Sequence, residues 1–239
     1  MNGFTYTDIF DTKGIEYIVI IGFLLLLIPV WVLVNRPLNL KQRVGSALGV
    51  LTGKILRIPQ GLFLSRNHTW TYLERSGLAR VGIDDLLQHI TGNVELECLH
   101  APGKHVSKGE VIARIARDGK QLDISSPISG KIQNVHTSLE QEPGAINEDP
   151  YGKGWIYKIK PERWLDDTFT CYLAAEAGEW LKRELGRFRD FIAETINRNS
   201  PESSPAILQE GGELCDNPLA EMDEAVWKDF QRMFLSTVD

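Results

Sequence analysis

The sequence predicts a mainly β domain set between a membrane-spanning helix and a helical C-terminal extension. Three observations predict it. Residues 17–34 form an apolar run without a single charge. From about Gly61 to Trp164, short β-type runs alternate with glycine-bearing turns. After Trp164, apolar residues recur at helical spacing.

The apolar run reads "YIVIIGFLLLLIPVWVLV". At about 1.5 Å per residue it is just long enough to cross a hydrocarbon core of roughly 30 Å. Acidic Asp8, Asp11 and Glu16 precede it, so its flank is wrong for a cleaved signal peptide. Tyr17 and Trp31 suit the two interfaces, and Pro29 predicts a kink. Arg36, Lys41, Arg43, Lys54 and Arg57 follow, and no acid appears until Glu74. By the positive-inside rule the N-terminus lies outside and the chain from residue 36 onward is cytoplasmic, in a single-pass cell (inner) membrane protein. Residues 1–35 are thus the anchor segment, and residues 36–60 a basic juxtamembrane segment. In the latter Val44, Leu48, Leu51 and Ile55 share one helical face that suits a lipid interface.

Net charge is −6, which gives no basis for nucleic-acid binding. Cys98, Cys171 and Cys215 are far apart, so neither a disulfide framework nor a zinc site is expected. The five histidines show no metal-ligand spacing, although His100 and His105 flank one turn. No nucleophile elbow, phosphate loop or dinucleotide fingerprint is present, and a non-enzymatic protein is expected.

Within residues 61–164, "ARVGI", "NVELECL", "EVIARIA", "QLDIS" and "GKIQNVH" are expected strands. "IDDLLQHITG" is an expected short helix. Asp84 caps it, Leu86, Leu87 and Ile90 face inward, and Gly92 stops it.

These residues resemble the glycine-cleavage H-protein family. His68 and Trp70 match its His-x-Trp signature, and Val81, Gly82, Ile83 and Asp84 its short strand. Gly103, Val106, Lys108, Gly109 and Glu110 match its "GxxVxKGE" turn, and "SSPISGKI" resembles its "SPVSG" strand. "NEDPYGKGWIYKI" is nearly identical to the family signature, with Glu148 and Asp149 expected to organise a turn before Pro150. The resemblance implies the lipoyl-domain fold, a barrel-sandwich hybrid (single hybrid motif). It also implies a covalent lipoate on a hairpin lysine that shuttles aminomethyl groups or electrons between enzymes.

The chain departs from the family at that lysine. Counting from either flank, the lipoyl position falls on Gly119, and Lys120 stands one residue later. Arg117-Asp118-Gly119-Lys120 makes a tight two-residue turn by itself. A one-residue shift turns a side chain to the other face of a strand. Two readings follow. In the first, the protein has no cofactor and is a membrane-anchored scaffold or docking subunit of a cytoplasm-facing membrane complex, such as a redox complex. In the second, it is a lipoamide carrier with the arm on Lys120.

Residues 165–239 form the helical extension. Leu181, Leu185, Phe188 and Ile192 share a face, and residues 198–213 are a polar linker. A second helix is expected to start at Asn217 and Pro218 and carries Met222, Val226, Trp227, Phe230, Met233 and Phe234. That apolar load predicts either packing onto the domain or docking into a partner protein. The protein partners expected are reached through this helix and through the H-like domain.

Overall fold

The computed structural model describes residues 17, 20–27, 50–51, 58–141, 144–199, 214–215 and 217–236. The chain divides into two compact units, residues 1–44 and 45–239.

In the first unit, residues 20–27 are helical, and Ile20, Ile21, Phe23, Leu24, Leu25, Leu26 and Leu27 are all exposed. Among the described residues no helix is long and apolar enough to cross a membrane. The remainder of the expected span, residues 18–19 and 28–34, lies outside the described residues.

The second unit is built on antiparallel strands. In chain order they are β1 (Val50–Leu51), β2 (Phe63–Leu64), β3 (Thr69–Leu73), β4 (Ala79–Ile83), β5 (Glu95–Cys98), β6 (His105–Val106), β7 (Val111–Arg117), β8 (Lys120–Ser125), β9 (Gly130–Val135), β10 (Trp155–Pro161), β11 (Tyr172–Leu173) and β12 (Leu214–Cys215). A seven-stranded sheet runs β11-β2-β3-β4-β10-β9-β6, and a three-stranded sheet runs β5-β7-β8. The inward residues of both sheets share one core: Val81, Ile83, Ile132 and Ile159 from the first, Leu96, Ile112, Ile115, Leu122 and Ile124 from the second. This is the expected mainly β sandwich. A separate two-stranded ribbon pairs β1 with β12. Leu51 therefore lies in a strand, which corrects the helical face expected there, and Val44, Leu48 and Ile55 fall outside the described residues.

Helix α1 (Asp85–Thr91) starts as expected, with the Asp84 carboxylate accepting from the Leu87 N–H at 2.8 Å, and ends at Gly92. Short helices α2 (Ser138–Gln141) and α3 (Gly144–Glu148) precede the turn at Asp149, whose carboxylate accepts from the Gly152 and Lys153 N–H groups. Helix α4 (Trp164–Thr168) follows β10, and α5 (Ala174–Asn199) is the long helix of the extension. Leu181, Leu185, Phe188 and Ile192 are buried on the face the periodicity predicts. Helix α6 (Glu224–Phe230) continues into a π-helical turn, Gln231–Leu235. Its cap is Asp223, not Asn217: the Asp223 carboxylate accepts from the Val226 N–H at 3.0 Å. Asn217 is held elsewhere, with φ of 60° and its N–H bonded to the His89 carbonyl.

Two buried arrangements hold these layers in place. The Trp70 indole lies across Gly82, its cross-strand neighbour, and donates to the Ile83 carbonyl at 2.9 Å. A Cβ on Gly82 would stand 2.7 Å from the indole and 2.8 Å from the Gly154 carbonyl, so only glycine fits. The second is a chain of charge. His68 Nδ1 lies 2.8 Å from Asp84 Oδ2, and its Nε2 faces Glu184 of α5 at 3.8 Å, an ion-pair distance. Burial alone would push the His68 pKa down, but Asp84 and then Glu184 outweigh it and raise it to about 9. Burial works to raise the Glu184 carboxyl, yet the His68 imidazolium and Arg187 hold it below its ordinary value.

Gly82→Ala is expected to cost about 1–3 kcal/mol by overpacking against Trp70, measured by chemical denaturation. The charged His68 contributes stability that is complete below pH 6.5 and lost as pH rises through about 9. Thermal melts should therefore fall across that window in wild type and stay flat in His68→Gln. A wild-type profile that is equally flat would contradict the buried imidazolium.

Candidate functional site

The candidate site is the tip of the β7–β8 hairpin and what covers it. The last cross-strand pair is Arg117 with Lys120, so Asp118 and Gly119 are the two turn residues. Their φ angles are 49° and 80°, the left-handed pair that a tight hairpin with right-twisted strands requires. Gly119, the position at which the family resemblance expects the lipoyl lysine, is thus the glycine that closes the turn. Its surroundings are open, since a Cβ at this position would meet nothing within 4 Å, but its backbone disfavours a side chain.

Lys120 does not project from this tip. Its Nζ donates to the carbonyls of Ala220 and Met222 at 2.8 and 2.9 Å, and the ammonium lies 5.4 Å from the Trp227 ring centre. Both carbonyls belong to the turn that leads into α6. Trp227 braces that turn by donating from its indole N–H to the Leu219 carbonyl at 2.8 Å.

The same segment completes α1. A helix leaves its last four carbonyls without partners inside the helix. Here the Gln88 carbonyl accepts from Gly92 N–H, His89 from Asn217 N–H, Ile90 from Leu219 N–H, and Thr91 from the Arg117 guanidinium. Two of the four partners come from the C-terminal segment and one from the hairpin, so helix end, hairpin and tail form one hydrogen-bonded unit.

Further along, Gln231 closes the outer edge of β8. Its side-chain oxygen accepts from the Asp123 N–H at 2.8 Å, and its amide donates to the Asp123 carbonyl at 3.2 Å. A side-chain amide thus takes the place of a neighbouring strand. Phe230 and Phe234 stack at 4.8 Å and pack edge-on to Phe188 of α5. Val226, Trp227, Phe230 and Phe234 are all buried. Of the two alternatives for the last helix, packing onto the domain is the one seen for these four residues, while Met233 remains 39% exposed.

Beside Gln231 lies a cleft of about 610 Å³, lined by Asn67, Lys108, Val111, Asp123, Arg163 and Leu235 among others. His100 and His105 do not meet: His100 faces Glu110 at 3.3 Å and His105 faces Glu162 at 3.0 Å. Among the described residues no group of three or more His, Cys, Asp or Glu is placed to hold a metal ion. The sequence gives no sign of the clasp over Lys120. The aromatic residues of the tail are visible as a packing surface, but a contact spanning a hundred residues leaves no local pattern.

Comparison with known proteins agrees with the architecture. Residues 62–182 match the family model for the glycine cleavage H-protein. The probable glycine cleavage system H protein of Pyrococcus horikoshii is 33% identical over 126 residues, covering 53% of this chain and 93% of that protein. The glycine cleavage system H protein of Rubrobacter xylanophilus is 40% identical over 103 residues, covering 43% and 81%. That of Thermus thermophilus is 38% identical over 104 residues, covering 44% and 80%. The family match ends inside α5, so the segment that holds Lys120 lies beyond it. The match takes in every strand of the two core sheets together with α1, and the chain belongs to the glycine cleavage H-protein family, a family of non-catalytic carrier proteins.

Proposed function

We propose that this chain is an H-family protein that works without a lipoyl arm of its own, as a docking or scaffold subunit of a membrane-associated complex. The observation that carries this reading is the pairing of Gly119 at the hairpin tip with a Lys120 whose ammonium is bonded to Ala220 and Met222. Modifying Lys120 would turn a cationic donor into an amide with one N–H. It would strip at least one of the two carbonyls of its partner and push the C-terminal turn off the hairpin. The alternative reading, a lipoamide carrier on Lys120, needs that whole segment to leave.

The membrane part of the reading rests on the uncharged run of residues 17–34, the cations that follow it, and the exposure of every large side chain along residues 20–27. It puts the N-terminus outside and the H-like domain in the cytoplasm. Tethering restricts the domain to partners at the membrane, which suits a subunit of a membrane complex, respiratory or redox, better than a diffusing carrier.

Incubating the purified chain with lipoate, ATP and a lipoate ligase is expected to leave it unmodified, with wild type and Lys120→Ala indistinguishable. Incorporation into wild type that Lys120→Ala abolishes would sink the arm-free reading. Lys120→Ala is expected instead to cost about 1–3 kcal/mol of stability, because two carbonyls lose a charged donor.

A further inference from the structure

The outer face of the large sheet carries an unusual charge pattern. Lys160 of β10 stands directly opposite Lys131 of β9, and Lys131 directly opposite His105 of β6. Like charges paired across strands are destabilising. Lys131 and Lys160 are both exposed, and among the described residues no carboxylate pairs with either. One step along the sheet, Arg80 stands opposite Lys158, and this pair shares a single carboxylate, Glu74, at 3.2 and 3.0 Å. Glu162 faces His105 at 3.0 Å. On this face Lys131, Lys160, Arg80 and Lys158 outnumber Glu74 and Glu162, so the strand row is cationic in a chain whose net charge is −6, while α4 beyond it exposes Asp166 next to Leu165.

The Lys131–Lys160 row lies at the end of the sheet where β10 leads into α4. There Leu165 and Phe169, four residues apart and on one side of the helix, are 80% and 88% exposed. They are fixed in that position. Trp164 packs edge-on against Phe63 at 5.3 Å, and the Asp167 carboxylate accepts from the Ser129 N–H at 2.6 Å, so α4 cannot roll to bury them. Lys108 reaches the same edge, its Nζ 2.9 Å from the Thr170 hydroxyl beside Phe169.

We infer that this face docks the domain on an anionic phospholipid surface, with Phe169 and Leu165 entering the interface and Lys131 and Lys160 meeting the headgroups. Two protruding apolar side chains need no matching pocket in a bilayer, and a flat cationic row suits a diffuse negative surface. The exposed apolar helix of residues 20–27 makes a bilayer the surface at hand. In that respect the inference rests on the membrane reading above, although the contact itself does not require the tether.

The test uses the full chain with p-benzoylphenylalanine in place of Phe169, whose near-complete exposure keeps the substitution from disturbing the fold. The chain is mixed with phosphatidylcholine vesicles with or without phosphatidylglycerol, irradiated, and weighed intact. A lipid adduct is expected with phosphatidylglycerol. It should fall at least about tenfold in Lys131→Glu/Lys160→Glu, since each surface cation is worth about fivefold in binding. No adduct, or equal adduct with and without anionic lipid, would overturn the inference. So would a polypeptide adduct in place of lipid when the same chain is irradiated in native membranes, which would assign the face to an acidic protein. Flotation with pure phosphatidylcholine vesicles reads the tether separately. A chain that floats without forming the adduct keeps the tether and loses the docking face. A chain that does not float yet forms the adduct with phosphatidylglycerol does the reverse.

Discussion

A lysine ammonium set beneath a tryptophan needs acceptors, and Lys120 finds them in two backbone carbonyls a hundred residues away. The arrangement of the tail follows from that bond. For the Ala220 and Met222 carbonyls to reach the amine, the preceding backbone has to lie along the end of α1, where its N–H groups satisfy the carbonyls of His89 and Ile90. For Trp227 to brace that turn, α6 has to lie on β8, which brings Gln231 to the strand edge and Phe230 and Phe234 to α5. Cutting Lys120 out of this unit leaves buried carbonyls unpaired, a cost that ties the hairpin's chemistry to the tail's position.

The His68 charge chain does for α5 what Lys120 does for α6. In one residue it links the capping carboxylate of α1 with Glu184 on the long helix, and its ring lies beside Trp180 and Phe234. A buried ion pair is weak evidence for net stability, but breaking one is costly, because the remaining charge is stranded. His68 thus fixes where the extension sits more than how strongly it is held. Both anchors join the β sandwich to the helical extension, and the first holds the Lys120 side chain on the tail while the turn itself, Asp118 and Gly119, stays exposed.

Much of this is legible in the chain, and the reasons are local. "ARVGI" and the helix from Asp84 to Gly92 are readable because alternation, a capping aspartate and a stopping glycine act within a few residues. The Asp118-Gly119 turn is readable for the same reason, and so is the misplacement of the lysine. The two-residue strands at Phe63, His105 and Tyr172 are too short to carry a period, so pattern reading passes over them. Asn217 and Pro218 imitate a helix start. The true cap is Asp223, because the backbone at Asn217 and Leu219 is claimed by α1. The clasp on Lys120 has no local signature at all. It depends on pairing residue 120 with residues 220 and 222, which only the fold brings together.

The arm-free hairpin is tested most directly by the intact mass of the full chain purified from its native host grown with lipoate in excess. A mass equal to the bare polypeptide is expected. A lipoyl-sized increment that maps to Lys120 would contradict the central claim, since the same amine cannot carry an arm and remain the cationic donor to Ala220 and Met222.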